Sequence, residues 1–96
     1  KKPVQLLNLL NAKGFCLSLD GKIETYGKAP NLEKVSELIA WLDDEIGRPV
    51  FATHELPALW PYIAAYKKNC SGMLAIRLSH TSSKEYLIWF RPELSD

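Results

Sequence analysis

Glu85-Tyr86-Leu87-Ile88-Trp89-Phe90-Arg91-Pro92-Glu93 is the stretch whose reading decides the fold. Successive side chains of a strand point to opposite faces. Tyr86, Ile88 and Phe90 therefore make one face apolar and aromatic, and the other carries Leu87 and Trp89 between the charged Glu85 and Arg91. A strand that is apolar on both sides in its middle belongs inside a sheet, covered above and below. Pro92 ends it, because proline cannot donate to a ladder.

Just upstream, residues 73–78 alternate, with Leu74, Ile76 and Leu78 on one face, and residues 80–84 read as a polar hairpin loop feeding the central strand. A second hairpin stands near the start of the chain. Phe15, Leu17 and Leu19 alternate with Cys16 and Ser18, Asp20-Gly21 follows, and residues 22–26 alternate again. Asp-Gly between alternating runs is a strong hairpin signal, because the turn needs positive φ. Residues 50–53 read as a short strand.

Between the strands lie helical patterns. Residues 3–12 place Leu6, Leu7 and Leu10 at helical spacing after Pro3, with Gly14 as a stop. Asn31 suits the cap of a helix whose apolar stripe is Leu32, Val35, Leu38, Ile39, Leu42 and Ile46, widened by Trp41. Gly47 and Pro49 end it. Thr53 suits the cap of the next turn. Pro57 and Pro61 fit first-turn positions only, which predicts two short helical pieces with a break near Trp60, the second over residues 62–68. Two hairpins with helices between them exclude an alternating parallel sheet and predict an antiparallel α+β domain.

Ninety-six residues make one domain. With 47% hydrophobic and 24% charged residues the chain is globular rather than disordered. Twelve basic against eleven acidic residues leave no excess of charge for a nucleic acid or an anionic membrane. No apolar run approaches the roughly 20 residues of a membrane helix. Cys16 and Cys70 are too few for a disulfide scaffold, which predicts reduced thiols and a cytoplasmic setting.

The residues that could carry chemistry do not converge. His54 and His80 lack the paired spacing of zinc ligands with the two cysteines. Asp43, Asp44 and Glu45 are consecutive and fan around a helix, which reads as a solvated helix end rather than a metal site. Neither cysteine has a cation motif beside it to activate the thiol. There is no phosphate loop, no nucleophile elbow and no HExxH. No catalytic, cofactor-binding or metal-binding residue is assigned, and an enzyme is the weaker expectation. The alternatives are a small-molecule-binding regulatory domain and a non-catalytic relay module.

The chain also resembles a known family. Residues 86–93 are similar to the "LLWFRPE" segment of the PHY domain of phytochromes, the bilin-bearing red/far-red light sensors. Residues 70–76 resemble its "ASGLLAI", Gly27 to Pro30 followed by a helix ending in Trp41-Leu42 its "GxxP…WL", and residues 51–53 its "F-x-T". The resemblance covers residues 13–93. It implies a GAF/PAS-like domain, a five-stranded antiparallel sheet with flanking helices and with the last strand against the first. It implies a bilin held covalently by a cysteine, in a neighbouring GAF domain or in an N-terminal segment, an output that is often a histidine kinase in the same chain, a homodimeric parent and no catalysis here.

In this family a long hairpin, the tongue, leaves after "WFRPE" through a "WGG"-like segment and carries a "PRxSF" motif to the bilin pocket. Neither motif is found in this chain, so residues 1–96 are expected to be a domain core without its tongue or its long flanking helices. No chromophore contact transfers to any residue, and neither cysteine matches an attachment position. What transfers is scaffold: Trp89, Phe90, Arg91, Pro92 and Glu93 stand at the base of the tongue, as structural support.

Overall fold

The structure is a computed structural model, and it describes residues 12–78 and 84–93. Five strands form one antiparallel sheet: β1 (Gly14–Leu19), β2 (Lys22–Gly27), β3 (Val50–Thr53), β4 (Gly72–Arg77) and β5 (Tyr86–Arg91). Their order across the sheet is β2-β1-β5-β4-β3. The two hairpins lie side by side and β5 takes the centre, paired with β1 (Gly14↔Phe90 to Ser18↔Tyr86) and with β4 (Gly72↔Arg91 to Arg77↔Tyr86). Asp20 and Gly21 make the first turn with φ of 53° and 75°, the mirror-image geometry that matches strand twist.

The helices are α1 (Leu32–Trp41), a wide turn continuing it (Leu42–Ile46), α2 (Leu56–Leu59), a 3₁₀ segment (Pro61–Tyr66) and α3 (Lys67–Cys70). Asn31 caps α1, its side-chain oxygen accepting the Lys34 N–H at 2.8 Å. The expected single helix to Ile46 is thus α-helical only to Trp41. The closing turn is wider, with the Gly47 N–H bonded five residues back to the Leu42 carbonyl at 2.8 Å and Gly47 left-handed at φ 62°. The break between the short pieces falls at Trp60, as the prolines require, and the second piece runs on to Cys70. Thr53 accepts the Glu55 N–H at 3.1 Å and so fixes the turn before α2.

The buried residues of every described helix meet one face of the sheet. Val35, Leu38, Ile39, Leu42, Leu56, Ile63 and Cys70 pack with Cys16, Met73, Ala75, Tyr86, Ile88 and Phe90. Trp41 stacks on Trp60 at 5.8 Å and meets Phe51 edge-on at 6.1 Å, which ties the end of α1 to β3. Leu32, expected in the stripe, is 55% exposed. It shares the angular position of Ile39 on a helix, but the first turn reaches past the core.

The opposite face carries Phe15, Leu17, Leu74, Ile76 and Leu87 half-buried, with Trp89 buried. In β1 the smaller set, Gly14, Cys16 and Ser18, faces the helices. The helix expected over residues 3–12 lies outside the described residues save for its last, Ala12, and so does the loop over residues 80–83. Among the described residues no helix is long and apolar enough to cross a membrane.

Candidate functional site at the exit of strand β5

Trp89 to Glu93, the residues that the resemblance marks as scaffold, run through the end of β5 and out of the sheet. Alternation sends Trp89 to one face and Phe90 to the other, and both are buried. The Trp89 ring meets Phe15 of β1 at 5.3 Å and 52°, and Leu74 of β4 is its partner on the other side. Phe90 is fully buried in the core, and its carbonyl accepts the Lys13 N–H at 2.8 Å. The strand entering β1 and the strand leaving β5 are therefore stitched at one point.

Arg91 and Gly72 are cross-strand partners. A Cβ on Gly72 would stand 2.8 Å from Arg91 Nε and 3.0 Å from Arg91 Cβ, so the arginine lies over the glycine where any other residue would push it off. Arg91 is half-buried as a result. Two residues on, the Glu93 N–H donates to the Lys68 carbonyl at 3.0 Å, which holds the departing chain to α3. The resemblance marked Trp89 to Glu93 as scaffold and quoted Gly72 only within a matched segment. The signal was the pairing of a Gly with an Arg across a ladder, which needs the register.

A cavity of about 330 Å³ opens at this end, lined by Ala12, Ala52, Thr53, His54, Met73, Leu74, Trp89, Phe90 and Arg91. His54 therefore stands near Arg91, while His80 lies outside the described residues. The space between the sheet and the helices holds packed side chains instead, with Cys16, Leu38, Ile63, Ile88 and Phe90 all fully buried.

Cys16 and Cys70 are free and buried in that core. Burial pushes both thiols up to about 12, and Cys70 adds to the rise at Cys16. A thiol so protonated is a poor nucleophile.

The acidic run at the end of α1 differs from its reading as a solvated helix end. Asp44 and Glu45 are exposed, but the Asp43 side chain is only 9% exposed and turns inward. Its Oδ1 accepts the Tyr86 hydroxyl at 3.0 Å and stands 3.6 Å from Arg77 Nη2. A carboxylate at a helix C-terminus is disfavoured by the dipole, and here a phenol and a guanidinium offset that. Burial, and then the bond to Asp43, push the Tyr86 hydroxyl up to about 12.

The family is settled by comparison with known proteins. A family model described as the phytochrome region matches residues 1–96. Cyanobacterial phytochrome B of Nostoc sp. is 32% identical over 89 residues, 93% of this chain and 12% of that protein. Cyanobacterial phytochrome A of the same organism is 34% identical over 94 residues, 98% of this chain and 12% of the relative. The chain thus spans about an eighth of the length of these curated relatives. In a crystal structure of the bacteriophytochrome RpBphP3 from the photosynthetic bacterium R. palustris, a part superposes with a TM-score of 0.83 at 31% identity, covering 93% of this chain and 18% of that one. With its sheet matched there and its family match running from end to end, the chain belongs to the phytochrome family of photoreceptors, as a PHY region.

Proposed function

We propose that this region is the non-catalytic relay module of a red/far-red light-sensing phytochrome. In this reading it supports the bilin-bearing GAF domain of the same chain through a tongue rooted at Trp89, Phe90, Arg91, Pro92 and Glu93. It passes the resulting change to an output histidine kinase of the same chain, in a cytoplasmic homodimer. The observation that carries the reading is the fixing of the β5 exit from three directions: the Phe15 ring on Trp89, Gly72 beneath Arg91, and Lys68 on the Glu93 amide. A long hairpin can pass its movement to the sheet only if its base is held firmly to the domain.

The bilin itself belongs to the neighbouring domain in this account. Cys16 and Cys70 do not fit covalent attachment, being buried and held protonated. The alternative, a small-molecule-binding GAF-like regulatory domain, calls for a closed apolar pocket between sheet and helices, where packed side chains stand instead. A ligand-induced thermal shift would support that alternative.

The test of the relay reading is Trp89→Ala in the full-length photoreceptor. Trp89 is 7% exposed, and truncating a buried tryptophan costs about 3–5 kcal/mol. Loss on that scale at the base lets the tongue open while the distant pocket stays intact. Normal bilin attachment with a bleached or fast-reverting photoproduct is the expected result, read from illuminated difference spectra and dark-reversion rates. An unchanged photoproduct yield and lifetime would overturn the reading.

A further inference from the structure

The far end of β5, opposite its exit, is held by one carboxylate. Asp43 is the second residue of the wide turn that closes α1. Its Oδ1 accepts the Tyr86 hydroxyl at 3.0 Å and the Lys84 N–H at 3.4 Å, with Arg77 Nη2 at 3.6 Å. Tyr86 is the first residue of β5 and Arg77 the last of β4, and the two are cross-strand partners. Lys84 leads into β5 with a left-handed φ of 64°, and its carbonyl accepts the Ser18 hydroxyl of β1 at 2.6 Å. One side chain from a helix end thus meets the start of the central strand and its neighbour on one side, and Lys84 extends the link to β1.

These contacts are few and directional, the Tyr86 bond partly buried and the Lys84 bond exposed, which makes them different in kind from the apolar core beside them. A hydrogen bond to a charged acceptor in a low-dielectric site is stronger than a neutral one, and removing the acceptor leaves its donors unsatisfied. Apolar contacts between α1 and β5 permit sliding, whereas a carboxylate shared by a phenol and a backbone amide fixes one register.

We propose that Asp43 is a positioning residue through which strand β5 and the closing turn of helix α1 move as one body. This rests on the relay reading above and gives it a route. A displacement imposed at Trp89 to Glu93 travels along the strand to Tyr86 and enters α1 at Asp43, instead of ending in the segment before β5.

The experiment is amide hydrogen exchange on the full-length photoreceptor, dark and illuminated, for wild type, Asp43→Ala and Asp43→Asn. In the dark, Asp43→Ala should speed exchange of the Lys84 amide by about two- to tenfold, the scale of one lost exposed hydrogen bond. Amides deep in the sheet, such as Ile88, should not change. Under illumination the wild type should show light-minus-dark differences at both residues 89–93 and residues 42–47. Asp43→Ala should keep the first and lose the second, and Asp43→Asn, which retains an acceptor of the same size, should recover part of it.

A light difference at residues 42–47 that survives Asp43→Ala would overturn the proposal. So would an even rise in exchange across the whole domain in both variants, which would make Asp43 a stability residue only. If the wild type shows no light difference at residues 89–93, the relay reading fails. The mechanical claim is then decided in the dark, where unchanged Lys84 exchange in Asp43→Ala refutes it and selective loss of protection sustains it.

Discussion

Gly72 and Arg91 face each other across β4 and β5, and neither side chain position is free to change alone. Gly72→Ala should destabilise the domain by about 1–3 kcal/mol, as overpacking does. The same change should cost less in an Arg91→Ala background, because the contact at Nε is gone. Urea unfolding of the four proteins of that cycle measures the coupling, and equal costs in both backgrounds would dismiss it. Protonation gives a second expectation at this scale. The ordinary values of Cys16, Cys70 and Tyr86 are 9.0, 9.0 and 10.0, and the fold raises each to about 12, chiefly by burial. The fold thus favours the protonated forms. The stability these groups lend is whole below pH 9 and is lost as pH climbs from there through about 12. Tyr86→Phe should flatten part of that alkaline decline in the denaturation midpoint. An identical slope would show that its hydroxyl ionises as freely folded as unfolded.

Helix α1 contains a matched pair for asking which leucines carry it. Leu38 is fully buried in the core and Leu32 is 55% exposed at the first turn. Leu38→Ala should cost about 2–5 kcal/mol, and Leu32→Ala should stay within about 0.5 kcal/mol, by the usual contrast of core and surface sites. Thermal unfolding of both variants decides it, and comparable losses would mean that the first turn is packed after all. Spacing alone places both leucines on one stripe, since periodicity reports direction around a helix and not how far the sheet extends beneath it. The same limit explains β1. Phe15, Leu17 and Leu19 read as the heavier apolar face, yet Cys16 and Ser18 are the residues turned to the helices. Both faces of the central strand are apolar, so alternation cannot say which one the helices take. The Asp20-Gly21 turn, the break at Trp60 and the stop at Gly47 were legible because each depends on local backbone chemistry. Asp43 was not, because the partners that draw it inward come from β4 and β5.

For the molecule as a whole, the thiols bear on the pigment. Co-expression of residues 1–96 with bilin-synthesising enzymes should yield no zinc-fluorescent band at this chain's mass on a denaturing gel. Both candidate nucleophiles are buried and protonated near neutral pH, and thiol addition requires the thiolate. A fluorescent band would refute this. The wider fold was legible as two hairpins with helices between them, and the placing of the last strand against the first came from resemblance. No local pattern encodes a pairing between opposite ends of a chain.

That pairing governs how the domain comes into being. Gly14 is bonded in register with Phe90, so the centre of the sheet closes only when nearly the whole of the described chain is available. On the ribosome, the first hairpin emerges early and then waits, with one edge of β1 unpaired, until β5 clears the exit tunnel. A sheet whose centre is one such distant pairing folds more slowly than its hairpins alone, since loop closure is spent before the contacts return it. During that interval Phe15 and Leu17 lie on an open edge strand, which is where a chaperone would bind and where misassembly between nascent chains would start.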